Sequence, residues 1–199
     1  MSNQNRHSGY NWVQSHNPAK LDVKLQQELQ TEPEFYYFAY GSCMCPVDLK
    51  RSLGENTHPY VIGTGVLKGY RLGFYSYSHT RKCGVLDVVK DPKASVKGVL
   101  YRLPWRLSEH LDKREGVAQR FYQHEIVEIH SHNSIYKNVR TYVVVDKLPE
   151  EMAPNDWYFN VVLRGAVTCG LPEEYCWHLF NHMHQLQQRN QAEPIRRSA

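Results

Sequence analysis

Phe35-Tyr36-Tyr37-Phe38-Ala39-Tyr40-Gly41-Ser42-Cys43-Met44-Cys45-Pro46-Val47-Asp48-Leu49 is an aromatic run that stops at a glycine and gives way to a helix start. Positions 35–40, rich in Phe and Tyr, favour a buried strand. Gly41 permits the dihedrals of a sharp turn, and Pro46 suits the first position of a helix, here over 46–53 with Gly54 as its stop. A strand ending in such a turn presents backbone N–H groups near a helix N-terminus, a natural seat for negative charge or a developing oxyanion. The shape of the turn alone is equally that of an ordinary strand-to-helix connection.

Upstream, residues 1–20 carry Ser, Asn, Gln, His and Gly with little to anchor them, which reads as a loosely docked leader. Leu21, Leu25 and Leu29 then repeat at a spacing of four, predicting a short amphipathic helix that ends before Pro33. An N-terminal extension over 1–33 therefore precedes a domain over 34–188, and residues 189–199 read as a flexible tail.

Downstream of Gly54 the pattern turns to β structure, with strands expected over 60–67, 70–75, 84–89 and 96–103 and a turn at Asp91-Pro92 between the last two. Glycines at 63, 65, 69, 73, 84 and 98 fall within or beside these runs, as a strongly curved or bulged sheet requires. A helix over 104–115 stops at Gly116. A hairpin follows, with strands over 122–130 and 140–145 around His132-Asn133-Ser134. From Asp156 two helices are expected, broken at Cys169-Gly170-Leu171-Pro172 and reopened by Glu173 and Glu174. The fold class read from this order is α+β, a small mixed β-barrel flanked by helices.

The chain of 199 residues has a hydrophobic fraction of 41% with 14 Tyr, enough for one core and a hydroxyl-lined pocket, and whole-chain disorder is excluded. A net charge of +4 spread along the chain lacks the dense basic stripe of a nucleic-acid surface, so no nucleic-acid partner is expected. No apolar run reaches bilayer length, and residues 1–20 lack the apolar centre of a signal peptide. Five cysteines, an odd number, fit reduced thiols. The expectation is a soluble cytoplasmic protein without a membrane partner; its oligomeric state is left open.

Three sets of residues bear on chemistry besides the turn. Glu115 ends a helix just before a glycine, where the macrodipole is unfavourable for a carboxylate; at an apolar helix end its pKa would be raised, as a proton shuttle needs. Lys113 and Arg114 read as a solvated face. Cys43 at a helix start is a candidate nucleophile if its thiol pKa is lowered there, although no His partner is identifiable. His178 and His182 lie one turn apart without a third ligand, so no metal site is assigned.

Phe38-Ala39-Tyr40-Gly41-Ser42, then Leu111-Asp112 with Glu115-Gly116-Val117 and Tyr122, then Gly165-Ala166 with Gly170-Leu171-Pro172 and Tyr175, resemble the γ-glutamylcyclotransferase family, which includes the AIG2-like proteins, in the same order. The resemblance spans roughly residues 35–186. It implies a cofactor-independent enzyme of lyase or acyltransferase type, in which the free α-amine of a γ-glutamyl amine or peptide attacks the γ-carbonyl, forming 5-oxoproline and releasing the amine. By the same resemblance Glu115 is the catalytic acid/base. Tyr40, Gly41 and Ser42, with Cys43 and Met44 on the same turn, would cradle the substrate, and Tyr122 would be a pocket tyrosine. One position departs, since the family motif commonly has Asn where this chain has Cys43. The alternative function is a non-catalytic small-molecule-binding or interaction module of the same fold.

Overall fold

The aromatic run forms β1 (Glu34–Ala39), in which Tyr37, Phe38 and Ala39 are consecutively buried. A strand buries successive residues only when both of its faces are covered. The computed structural model describes residues 32–197, with side chains to residue 191; the leader and the 21–31 helix expected from sequence lie outside the described residues. In the compact unit that begins at Pro33, β1 pairs antiparallel with β3 (Cys83–Pro104), from Glu34↔Pro104 to Ala39↔Val99. It pairs in parallel with β5 (Ser134–Val144) at Tyr37↔Arg140. With β2 (Val61–Ser78) and β4 (Tyr122–Ser131), the strands close into a mixed barrel in the order β1-β3-β2-β4-β5.

Two of these strands replace four expected ones. β2 and β3 form one long hairpin, its register broken at Val61/Gly63, Lys68/Tyr70 and Gly73/Ser76. The Asp91-Pro92 turn proves to be an excursion within β3: Gly69 alone stands opposite residues 91–94, Asp91 Oδ1 accepts the Lys93 N–H at 3.0 Å, and the chain rejoins the same partner strand at Ser95. Pro92, with no N–H to give a ladder, sits where the ladder is interrupted. Gly69, at φ +78°, supplies a backbone conformation that a side chain would oppose. The β4–β5 hairpin is also longer than expected, with pairing already at Ser131↔Ser134.

Helix α1 (Pro46–Leu53) has the expected bounds and ends on Gly54 in the left-handed region. Pro104 closes β3 rather than opening a helix; a short 3-10 turn, Trp105–Leu107, leads into α2 (Ser108–Glu115), stopped by Gly116 at φ +65°. Asn155 caps α3 (Asp156–Thr168) by accepting the Tyr158 N–H at 2.9 Å. Helix α4 (Glu173–Arg197) continues past residue 188, where the sequence reading ended the domain.

The core holds Phe38, Phe74, Leu100, Tyr101, Ile129 and Tyr142, all essentially inaccessible. Each large side chain removed from water contributes about 1.5–3 kcal/mol. The Tyr101 hydroxyl inside this core is satisfied by the carbonyls of Cys43 at 3.1 Å and Met44 at 3.3 Å, which ties the barrel to the segment after β1. Helix α3 clamps the same segment from outside at Gly165, where an added Cβ would lie 2.6 Å from the Cys45 nitrogen and 2.9 Å from the Met44 carbonyl carbon. Among the described residues no helix is long and apolar enough to cross a membrane.

Candidate active site

After β1 the chain makes a 3-10 turn over Ser42–Met44, whose own hydrogen bonds begin with the Met44 N–H on the Gly41 carbonyl at 3.0 Å. The N–H groups of Ser42 and Cys43 therefore precede the intrahelical bonds, as at any helix start. Gly41 does not serve a left-handed turn: its φ is −117°, and a Cβ there would stand 3.2 Å from the Tyr158 hydroxyl, which would have to give by a few tenths of an ångström.

Helix α2 delivers Glu115 to this turn. The Cys43 thiol donates to Glu115 Oε1 at 3.2 Å, and Glu115 keeps 16% of its side chain exposed. The helix end is not apolar, as the sequence reading had it, because the Arg114 Nε lies 3.5 Å from the same Oε1. Arg114 is also no part of a solvated face: only 8% of its side chain is exposed. Its Nε donates to Cys43 Sγ at 3.0 Å and its Nη2 to Ser42 Oγ at 3.0 Å and Asp48 Oδ2 at 2.6 Å, while Nη1 reaches Ser52 Oγ. Burial opposes the charge, but Cys43, Glu115 and Asp48 outweigh it and hold the guanidinium above its ordinary pKa. One cation thus joins the turn, α1 and Glu115.

The signal for Arg114 was available in the sequence. Leu111 is fully buried, and positions three and four further along a helix share its face, so Arg114 and Glu115 point inward while Lys113 does not.

These residues open onto one cavity of about 610 Å³, lined by Tyr40, Gly41, Ser42, Cys43, Glu115 and Tyr122 among others. Six of the seven residues singled out from sequence are therefore brought together. Met44 is the exception: it is fully buried against the core, and its carbonyl accepts from Tyr101 and from the Cys169 thiol. The Tyr40 hydroxyl donates to the Tyr142 carbonyl at 2.5 Å and that of Tyr122 to the Leu86 carbonyl at 2.9 Å, so both are spent on positioning the wall. Burial raises both phenols and keeps them protonated.

Tyr158 on α3, which was not singled out from sequence, behaves differently. Its oxygen accepts the Leu86 N–H at 3.1 Å, which leaves its own O–H to donate, and burial holds that phenol protonated. The mouth carries Arg81 and Lys113, neither of which has a carboxylate partner among the described residues. The Arg81 guanidinium lies 5.7 Å from the ring centres of both Trp157 and Tyr158.

The Cys43 thiol is not the activated nucleophile considered from sequence. Burial, stronger than the opposing pull of Arg114, pushes its pKa up to about 12, so it is a neutral S–H. His182 bonds Glu151 Oε1 at 2.9 Å and stacks edge-on with Phe74, and among the described residues no cluster of three His, Cys, Asp or Glu is arranged to hold a metal.

Residues 95–179 match the model of the AIG2-like family. A Bacillus subtilis (strain 168) protein named "Putative gamma-glutamylcyclotransferase YkqA" is 33% identical over 151 residues, covering 76% of this chain and 53% of that relative. The chain thus spans about half the length of that relative. A Mus musculus protein named "Gamma-glutamylcyclotransferase" is 26% identical over 145 residues, covering 71% of this chain and 74% of the relative. The crystal structure of YkqA superposes with a TM-score of 0.72 at 31% identity, covering 82% of this chain and 59% of that one.

Proposed function

Since the chain carries an AIG2-like family domain and has relatives named gamma-glutamylcyclotransferase, we propose that it cyclises a γ-glutamyl amine or peptide to 5-oxoproline and releases the amine. The observation that carries this reading is the convergence of Glu115, Ser42, Cys43 and Tyr158, whose hydroxyl hydrogen is unspent, on the lining of one cavity.

The chemistry asks little beyond proton handling and charge stabilisation. The attacking amine and the γ-carbonyl belong to one molecule, and well-oriented intramolecular reactions reach effective molarities of ~10⁵ M or more. Glu115 takes a proton from the α-ammonium group, freeing the nitrogen lone pair to attack the γ-carbon. The carbonyl π electrons move onto oxygen, where the turn amides and the Tyr158 hydroxyl offer donors; one well-placed donor contributes about 3 kcal/mol. Collapse of the tetrahedral intermediate breaks the bond to the departing nitrogen, which receives the proton held by Glu115; the proton still in excess on the ring nitrogen then leaves through the same carboxylate and ends on the released amine, which departs as its ammonium form. Arg81 and Lys113 give the cavity mouth positive charge suited to the carboxylate that every γ-glutamyl compound carries.

The test is a panel of γ-glutamyl amines, amino acids and short peptides incubated with the protein, with 5-oxoproline quantified by mass spectrometry. Release of 5-oxoproline and the amine in equal amounts from one class is expected. No product from any member would favour the binding-module reading.

A further inference from the structure

The Cys43 thiol belongs to a residue of the cavity wall yet has no step in the chemistry above, and its contacts are unusual for a buried thiol. Its sulfur accepts from Arg114 Nε at 3.0 Å, and its S–H runs on to Glu115 Oε1 at 3.2 Å. We propose that Cys43 is a positioning residue: by holding Oε1 with its S–H, itself aimed by Arg114, it commits Glu115 Oε2 to the proton transfers in the cavity. This inference rests on the assignment of Glu115 as the acid/base.

Three observations bear on it. Oε1 receives both the thiol and the nearby guanidinium Nε, whereas Oε2 has no hydrogen-bond partner among the described residues, and Glu115 lines the cavity. Sulfur is a weak acceptor and S–H a weak donor, so the link fixes the carboxylate's orientation without tying it up as an arginine fork would. The thiol also stays protonated throughout the working range, its pKa being pushed up to about 12, so it remains a donor there. The other titratable groups facing Glu115 are Arg114 on its own helix and the phenols of Tyr37 on β1, Tyr40 just after it, Tyr122 on β4 and Tyr158 on α3. Those phenols, all raised by burial, are neutral, which leaves Cys43 and Arg114 as the groups that bond or pair with Glu115.

The experiment pairs a spectroscopic with a kinetic readout. The infrared S–H stretch of Cys43, assigned by its loss in Cys43→Ala, is expected to shift to higher frequency in Glu115→Gln as the bond to a charged oxygen is lost. In 5-oxoproline assays Cys43→Ala is expected to lower kcat about tenfold, the lower end for a hydrogen bond to a charged group, with KM within about threefold. Cys43→Ser, which restores a donor, recovers part of kcat. An S–H band indifferent to Glu115→Gln, or a Cys43→Ala variant with unchanged kcat or with the loss confined to KM, overturns the proposal. A responsive band in a protein that forms no 5-oxoproline would uphold the thiol–carboxylate link and reject the cyclisation reading instead.

Discussion

Replacing Arg114 with methionine removes the one cation that joins α1, the turn and Glu115 while keeping most of the apolar stem. Arg114, Asp48 and Glu115 retain only 8%, 6% and 16% of their side-chain exposure, so the variant leaves two carboxylates largely out of water with no counter-charge. The hydroxyls of Ser42 and Ser52 lose a donor as well. Deleting one partner of a buried ion pair costs about 3–5 kcal/mol, because the survivor's desolvation is no longer offset. With a urea slope of about 2 kcal/mol/M, the unfolding midpoint of Arg114→Met should fall by about 2 M. The dependence should also be reciprocal: adding Asp48→Asn removes an orphan charge, so the double variant is more stable than the sum of the single losses by at least about 1 kcal/mol. Arg114→Lys keeps a charge but cannot serve four groups from one plane, and recovers part of the midpoint. A fall below about 0.5 M for Arg114→Met, the behaviour of an exposed arginine, would refute the clamp.

Other consequences are equally accessible. Gly165→Ala drives a Cβ to 2.6 Å from backbone that cannot swing aside; overpacking of this kind costs about 1–3 kcal/mol, so the melting temperature should drop by roughly 3–10 °C, and an unchanged melting curve would contradict the packing described. The Cys43 thiol, buried and with its pKa near 12, should resist iodoacetamide at pH 8 in the folded protein and react in urea, as peptide mass spectrometry can show. Rapid labelling of the folded state would oppose this. Asp87, whose carboxyl burial raises above its ordinary 3.8 despite the Lys147 and Val144 contacts, holds its proton more tightly folded than unfolded. Its contribution is full below the ordinary value and is lost as pH rises through the folded one. Asp87→Asn should therefore flatten the decline of urea midpoint above pH 4, and an unaltered pH slope would argue against it.

Much of this was legible in the sequence where one residue type leaves the backbone little choice. Pro46, Gly54 and Gly116 punctuate α1 and α2 as expected, and the alternation of residues 122–130 marks β4. Strand continuity was harder to read, because a glycine inside a strand looks the same whether it ends the strand or bulges it; at Gly69 the ladder resumes because the excursion over residues 91–94 is taken up on the opposite strand. The meeting of Glu115 with the 42–44 turn followed from a family resemblance. Its physical means, Arg114, was legible only through its spacing from Leu111; grouped with its neighbour Lys113 as one charged face it went unread, since the two differ only in which side of α2 they leave. Tyr158 was hidden for another reason: what sets it apart is an N–H supplied by Leu86, 72 residues away in sequence.

The central claim is that Glu115 moves the protons of the cyclisation, and Glu115→Gln tests it most directly, because the substitution keeps the shape and removes the titrating group. With a γ-glutamyl compound that the unaltered protein converts, initial rates of 5-oxoproline formation should fall by about 10²–10⁴-fold. A circular-dichroism spectrum matching the parent would show that the fold is kept. A Glu115→Gln variant that forms 5-oxoproline as fast as the parent would contradict the account.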